Sequence, residues 1–337
     1  IDTAVEGQNG LVHLEEAIAR ERAVVNALAQ QGVETPLAGP FRKEQFDTLS
    51  RRVQGIELLE QCPDETRARI LASGEGFSSR LMVDVLNHRG LRAQWSDTDV
   101  LPLANEDWLD SLIEIDAAAP LLQERLRTDS DVVVLPGFYG RNADGGIQLL
   151  GRNGTDYSAA AIAAAAGAGL CQIWKDVDGF FTADPRIVRN ARCLEEVSYD
   201  EAMELTYFGA KVISAKALTP LAANDIPCEV RNTYDPSVPG TLVHGKAKRA
   251  EVVRGISHLH DVSSITMQGG GLRGRVGIAR RVMDALASES ISILLIVQSS
   301  SEYSITLCVR QVDENKARRA LEEEFHFERL HGLVEDI

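Results

Sequence analysis

The sequence predicts an α/β protein in two parts: a sheet sandwiched by helices, then a much smaller β-α-β-β-α domain. Three observations predict it. From Asp131 onward, short apolar runs alternate with helical periodicity, the pattern of strands joined by helices. The alanine-rich stretch 159–166 has the highest helix propensity in the chain. A turn-rich and then basic segment, 235–249, precedes a restart of the pattern on a smaller scale, and the linker is expected there. The chain has 337 residues, and at roughly 100–200 residues per domain that length also suggests two domains or three.

Taken in order, residues 14–30 and 45–61 carry apolar residues three and four apart, broken by Thr35-Pro36 and Gly39-Pro40. Residues 67–73 begin an element expected to end in a turn at Gly74-Glu75-Gly76. Residues 78–88 read as a helix stopped at Gly90. The run 131–135, closed by Pro136-Gly137, reads as a buried parallel strand. A hairpin turning at Asn142-Ala143-Asp144-Gly145-Gly146 follows, with 147–150 as its return strand. Residues 171–174 are expected as a strand, 200–208 and 218–224 as helices. Beyond the linker come a strand at 263–268, a helix at 275–288, strands at 292–297 and 304–309, and a helix at 314–324. That run fits a ferredoxin-like small domain.

Composition narrows the function classes. Lys and Arg number 35 against 50 Asp and Glu, a formal net charge of −15. This argues against nonspecific binding of nucleic acid or an anionic membrane surface, though a few local cations can still hold an anionic ligand. No apolar run reaches the roughly 18–20 residues of a membrane span. Five cysteines, Cys62, Cys171, Cys193, Cys228 and Cys308, are scattered without a CxxC pair. They are expected as buried free thiols of a reducing, cytoplasmic compartment, not metal ligands or disulfides.

Two glycine motifs are decoys. Gly269-Gly270-Gly271-Leu272-Arg273-Gly274 matches GxGxxG between a strand and a helix, but the next strand ends in Gln298-Ser299-Ser300-Ser301, with no acidic residue for a ribose. Tight entry into a helix explains those glycines better. Gly240 to Ala247 approaches a P-loop, yet Ala247 stands where the Mg²⁺-binding hydroxyl belongs.

Three segments do carry chemistry. Gly151-Arg152-Asn153-Gly154-Thr155-Asp156 opens the alanine helix. A helix N-terminus offers free N–H groups to an anion, and Arg152 adds a bidentate cation for a carboxylate or phosphate. A plain capped helix, with Thr155 or Asp156 as its cap, fits the same residues. Residues 174–186 mix cations, carboxylates and aromatics, as a nucleotide-binding loop needs. Phe208-Gly209-Ala210-Lys211 ends a helix and projects a lysine.

Together these segments, with Glu201-Ala202-Met203-Glu204-Leu205 and Asp184-Pro185-Arg186, resemble the aspartokinase family. Gln298-Ser299-Ser300-Ser301-Glu302-Tyr303-Ser304-Ile305 resembles its regulatory ACT domain. The wording there, and at Gly55-Ile56-Glu57-Leu58-Leu59, is most similar to the bifunctional aspartokinase–homoserine dehydrogenases. The resemblance implies an amino-acid-kinase fold over residues 1–245 and an ACT domain over 250–337, the first of an expected pair. It implies the reaction ATP + L-aspartate to ADP + 4-phospho-L-aspartate, the first step of the aspartate-derived amino-acid pathway. Glu75 would pair with the substrate ammonium and Arg152 with its α-carboxylate, beside Thr155 and Asp156. Lys175, Asp176, Phe181, Arg186 and Lys211 would line the ATP side, with Mg²⁺ arriving on ATP and not in a cage of protein ligands. Gly271, Arg275, Gln298, Ser299, Ser300 and Glu302 would hold an amino-acid effector, expected to be L-threonine. Self-association through ACT domains is also implied. NAD(P) would belong only to a dehydrogenase part outside this chain.

The sequence departs from the family pattern in places. The family's opening Lys-Phe-Gly-Gly-Thr-Ser is not found, so its first strand and phosphate loop are expected to precede Ile1, and the chain as written is expected not to catalyse. A non-catalytic amino-acid sensor and a kinase for another carboxylate are the alternatives. Lys175 stands for the usual threonine, Phe181 for a tyrosine, and Ile213-Ser214-Ala215 for Leu-His-Pro.

Overall fold

The structure, a computed structural model, describes residues 1–337 except Gln8, Phe208, Ala210, Lys211 and residues 248–252. Contacts divide the chain into two compact units, Ile1–Ser257 and His258–Ile337. No helix among the described residues is long and apolar enough to cross a membrane.

The first unit opens with helices α1 (Asp2–Val5), α2 (Gly10–Gln30), α3 (Ala38–Leu59), α4 (Asp64–Leu71) and α5 (Ser73–His88). Two expected breaks are absent. Gly39-Pro40 lies inside the first turn of α3, where proline removes no intrahelical hydrogen bond. Gly74-Glu75-Gly76 is not a turn but the first turn of α5. The start of α3 is held from α5: the buried Asp84 carboxylate accepts the Ala38 N–H at 2.9 Å and the Leu37 N–H at 3.2 Å. This satisfies amides that α3 itself cannot.

Strand β1 (Ala93–Trp95) pairs in parallel with β2 (Val132–Val134), joined through α6 (Ile115–Arg125). β1 gave no sequence signal, being three residues long. The apolar run at β2 is parallel as expected but half-buried, since β1 is its single partner. Hairpin β3 (Tyr139–Arg141) and β4 (Ile147–Leu149) precedes α7 (Gly154–Ala166). Then follow β5 (Cys171–Lys175), β6 (Glu196–Val197), α8 (Tyr199–Tyr207), α9 (Ala215–Ala223), β7 (Cys228–Asn232) and β8 (Thr241–Val243). These last strands form a sheet in the order β5-β7-β8-β6, with β5 parallel to β7 and β8 antiparallel to it. β8 therefore lies within the segment expected as linker.

The alanines of α7 explain the core. Ala160, Ala161, Ala163 and Ala165 are all buried in one cluster with Leu122 of α6, Leu218 and Leu221 of α9, and Ile173 and Val230 of the sheet. Small side chains let α7 run close to neighbours on several sides. Of the five cysteines, all free, Cys171 and Cys228 are buried as expected and paired in register across β5 and β7; Cys62, Cys193 and Cys308 are half-buried.

The second unit comprises β9 (Val262–Gln268), α10 (Ile278–Ser288), β10 (Leu295–Gln298), β11 (Ser304–Arg310), α11 (Glu314–Glu324) and α12 (His326–Leu330). Its sheet runs β10-β11-β9, antiparallel throughout. Val282, Leu286, Leu307, Leu321 and Phe325 fill its core. Arg281 of α10 ties the helices together, donating to Glu328 and Glu324 at 2.6 Å each, with its guanidinium over the Phe325 ring at 4.5 Å. Glu328 is buried, and its hydrogen bond from Arg281 holds its carboxyl below the ordinary 4.5.

A depressed carboxyl stabilises the fold above its unfolded pKa, and that contribution fades as pH falls through the folded value. Arg281→Met should cost the second unit about 2 kcal/mol, short of a fully buried pair because the arginine is partly exposed. Thermal unfolding should also lose the part of its acid sensitivity below about pH 4.5 that this pair supplies. Unchanged melting would remove the pair from the account of stability.

Candidate active site

The loop after β4 is shaped by close approach. Leu150 N–H donates to the Phe138 carbonyl at 2.8 Å, and Gly151 then turns at φ +75°. A Cβ on Gly151 would overlap the Asp110 carboxylate, so glycine is required twice over, for conformation and for space. Asn153, also left-handed at φ 57°, precedes α7, and no side chain caps that helix. Thr155 and Asp156 thus lie in the first turn and are not its caps; the Gly154 N–H donates to the Gly151 carbonyl at 3.1 Å, and the Thr155 and Asp156 N–H groups have no backbone acceptor within the helix. Arg152 is exposed and has no partner among the described residues. Thr155 is exposed, its carbonyl accepting from Ser158 Oγ at 2.9 Å.

At the end of β5, Lys175 Nζ lies 2.7 Å from Asp156 Oδ2, both side chains largely buried. No aligned hydrogen-bond donor reaches that oxygen among the described residues, so the contact is an ion pair that leaves acceptor capacity open. It joins the loop read as the aspartate side to the loop read as the ATP side. Beyond it, Asp176 is exposed in a bend, and Asp178 accepts from Asn232 Nδ2 at 2.7 Å, anchoring this loop to β7. Phe181 is half-buried and its backbone bridges to Cys193. Arg186 is exposed and folds back on Asp184, Nη2 to Oδ2 at 2.8 Å, so its guanidinium is held by its own loop. Lys211 lies outside the described residues.

The Glu75 carboxylate has no hydrogen-bond or ion-pair partner among the described residues, though its carbonyl accepts from Ser78 Oγ at 3.2 Å, and burial pushes the carboxyl above the ordinary value of 4.5. Its helical turn is fixed by Arg80, stacked between the Phe41 and Trp95 rings at 3.8 and 3.6 Å and donating to the Gly76 carbonyl at 2.8 Å. Burial and the Asp97 charge also push the Tyr139 phenol up to about 12. Among the described residues, no group of three or more His, Cys, Asp or Glu converges as a metal cage.

In the second unit, two expected effector segments meet: Glu302 Oε2 accepts the Gly274 N–H at 2.9 Å. The Gly271 N–H is already taken by the Leu333 carbonyl at 2.9 Å, and a Cβ there would overlap Leu333. Ser299 closes its own turn, its N–H donating to the Ser304 carbonyl at 3.2 Å. Arg275, Gln298 and Ser300 are exposed.

Sequence reasoning missed Lys216 and Asp110. Lys216 Nζ reaches Asp110 Oδ1 at 2.6 Å, the Leu150 carbonyl at 2.8 Å and the Ser111 carbonyl at 3.1 Å. The partners are 106 and 66 residues away from it in sequence, and neither stands in a motif.

Comparison with known proteins shows the family. Residues 17–232 match the amino acid kinase family and 265–325 an ACT domain. The chain is 38% identical over its whole length to a bifunctional aspartokinase/homoserine dehydrogenase of Haemophilus influenzae, of which it spans 42%. It is 34% identical to lysine-sensitive aspartokinase 3 of Escherichia coli over 71% of this chain and 54% of that protein. The chain thus spans about half or less of these curated relatives. The solved E. coli aspartokinase III with aspartate and ADP has a TM-score of 0.69 and 27% identity, covering 90% of this chain and 70% of that one. The chain belongs to the amino acid kinase family, carries an ACT domain, and is similar throughout to the bifunctional aspartokinase/homoserine dehydrogenases.

Proposed function

We propose that this chain is the kinase and first regulatory part of an aspartate kinase. It transfers the γ-phosphoryl group of Mg·ATP to the β-carboxylate of L-aspartate, giving ADP and 4-phospho-L-aspartate at the entry to aspartate-derived amino-acid synthesis. The observation that carries the reading is the Asp156–Lys175 ion pair, which brings the anion-receptive start of α7 and the mixed-charge loop after β5 to one place. The relative solved with aspartate and ADP supports both ligands.

The acceptor carboxylate is already ionised at neutral pH, so no general base is needed. One of its oxygens forms the new O–P bond while the bond between the γ-phosphorus and the bridging oxygen breaks, and ADP leaves with that electron pair. Catalysis then reduces to alignment and charge neutralisation. Arg152, exposed and unpaired, takes the substrate α-carboxylate, and Glu75 takes its ammonium. Lys175 supplies a fixed cation where the family pattern has a threonine. Mg²⁺ enters as part of the nucleotide substrate.

Hydroxylamine trapping of the acyl phosphate, in the protein that carries this chain, tests the reaction: hydroxamate should form only with ATP and L-aspartate together. Titration of L-aspartate into the chain tests the site. Arg152→Met should weaken binding about 10- to 100-fold, the loss of a bidentate charged contact.

Binding the substrate ammonium requires ionised Glu75. Because burial raises its pKa, aspartate affinity should begin to fall at a pH above the ordinary glutamate range as pH is lowered. Glu75→Gln should abolish that limb and leave a weaker, flatter profile. An identical acid limb in the variant would assign it elsewhere.

For the ACT domain we propose L-threonine as effector and self-association through paired ACT domains. Threonine binding should be weakened by Gln298→Ala. Lysine binding alone would place the chain with its lysine-sensitive relative instead.

A further inference from the structure

Lys216 is a second lysine at the candidate site, and it lies outside every motif. It stands in the first turn of α9, whose start is capped by Ser214 Oγ accepting the Ala217 N–H at 3.2 Å. Its ammonium makes three contacts at once, to the Asp110 carboxylate, the Leu150 carbonyl and the Ser111 carbonyl, and lies 4.9 Å from the Tyr157 ring centre. The Lys216 side chain is 25% exposed, while Asp110 is largely exposed. Each acceptor belongs to the frame of the Arg152 loop. Leu150 immediately precedes the left-handed Gly151, Asp110 fills the space a Cβ on Gly151 would need, and Tyr157 is in α7 just beyond Asp156. Ser111 N–H donates to the Leu149 carbonyl at 2.7 Å, and Ile113 N–H to the Tyr157 hydroxyl at 3.0 Å. The segment 110–113 is therefore laced across β4 and α7, and Lys216 is the one cation that closes the lacing onto α9 among the contacts described.

We propose that Lys216 is a positioning residue for the substrate carboxylate. It fixes the Leu150–Gly151 hinge against Asp110 and thereby presents Arg152 and the first-turn amides of α7 at a set angle. It touches no substrate. The proposal rests on the aspartate-kinase reading of this loop. It adds that the aspartate side depends on a residue of α9, only five positions beyond the segment holding Lys211.

Separate titrations of L-aspartate and Mg·ATP into the full chain test it. Lys216→Met should weaken aspartate binding about tenfold, the worth of one charge-assisted hydrogen bond, with nucleotide affinity changed less than about twofold. Lys216→Arg keeps the charge and should restore most of the aspartate affinity. Asp110→Asn, at an exposed partner that does not threaten folding, should give the same split at smaller size. Unchanged aspartate affinity in Lys216→Met, or equal loss for both ligands, overturns the proposal while leaving the kinase reading standing. Absence of aspartate binding by the unsubstituted chain overturns both.

Discussion

The ion pair between Asp156 and Lys175 is the constraint on which the candidate site depends. Each member comes from a different kind of element, Asp156 from the first turn of α7 and Lys175 from the last residue of β5. Strand β5 and helix α7 are in turn locked by the alanine and valine packing of the main core. Largely buried, the two charges cannot simply separate, because either alone would bear the cost of desolvation. Asp156 Oδ2 is nonetheless left without an aligned donor. The pair is thus rigid in position and incomplete in hydrogen bonding, a combination suited to a site whose remaining partner is a ligand.

Net charge and local charge are different quantities here. A formal charge of −15 describes a surface that repels polyanions. The loops around β4 and β5 run against that average: Arg152, Lys175 and Lys216 gather beside an uncapped helix start. Of these, Lys175 is held by Asp156 and Lys216 by Asp110, as Arg186 is held by Asp184, so Arg152 alone among these four cations lacks a carboxylate partner among the described residues. Counting cations in a motif overstates those available, since a carboxylate at short range takes the arginine first.

What could be read from the sequence was local. Alanine content marked α7, the Asn142–Gly146 turn marked a hairpin, and alternating strands and helices marked both units. Gly74-Glu75-Gly76 misled because glycine's weak helix propensity, about 1 kcal/mol per residue, was outweighed by packing against Phe41 and by the Arg80 contact to Gly76. Contacts that close the site over long separations had no signature. Lys216 and Asp110 are 106 residues apart, and the spacing of neither residue points to the other. Tight entry into a helix and an effector contact at Gly271 are the readings the sequence offers for the glycines at 269 and 271; the close passage of the segment 333–335, some sixty residues away, is a packing constraint on both that no local pattern carries.

The same segment, 333–335, bears on the effector residues proposed for the second unit. Glu335 accepts from Tyr303 at 2.6 Å and faces the Gly270 N–H at 3.4 Å, while the Leu333 carbonyl occupies the Gly271 N–H. A carboxylate and a carbonyl of the chain itself therefore sit where an effector carboxylate was expected from the glycine loop. An effector using those amides has to displace the contacts of residues 333–335, and its net affinity is lowered by whatever those contacts contribute. The exposed Arg275, Gln298 and Ser300 bear no such competition. For the effector site proposed above, these exposed side chains, and not the glycine loop that is already packed and hydrogen-bonded, are the groups open to a ligand.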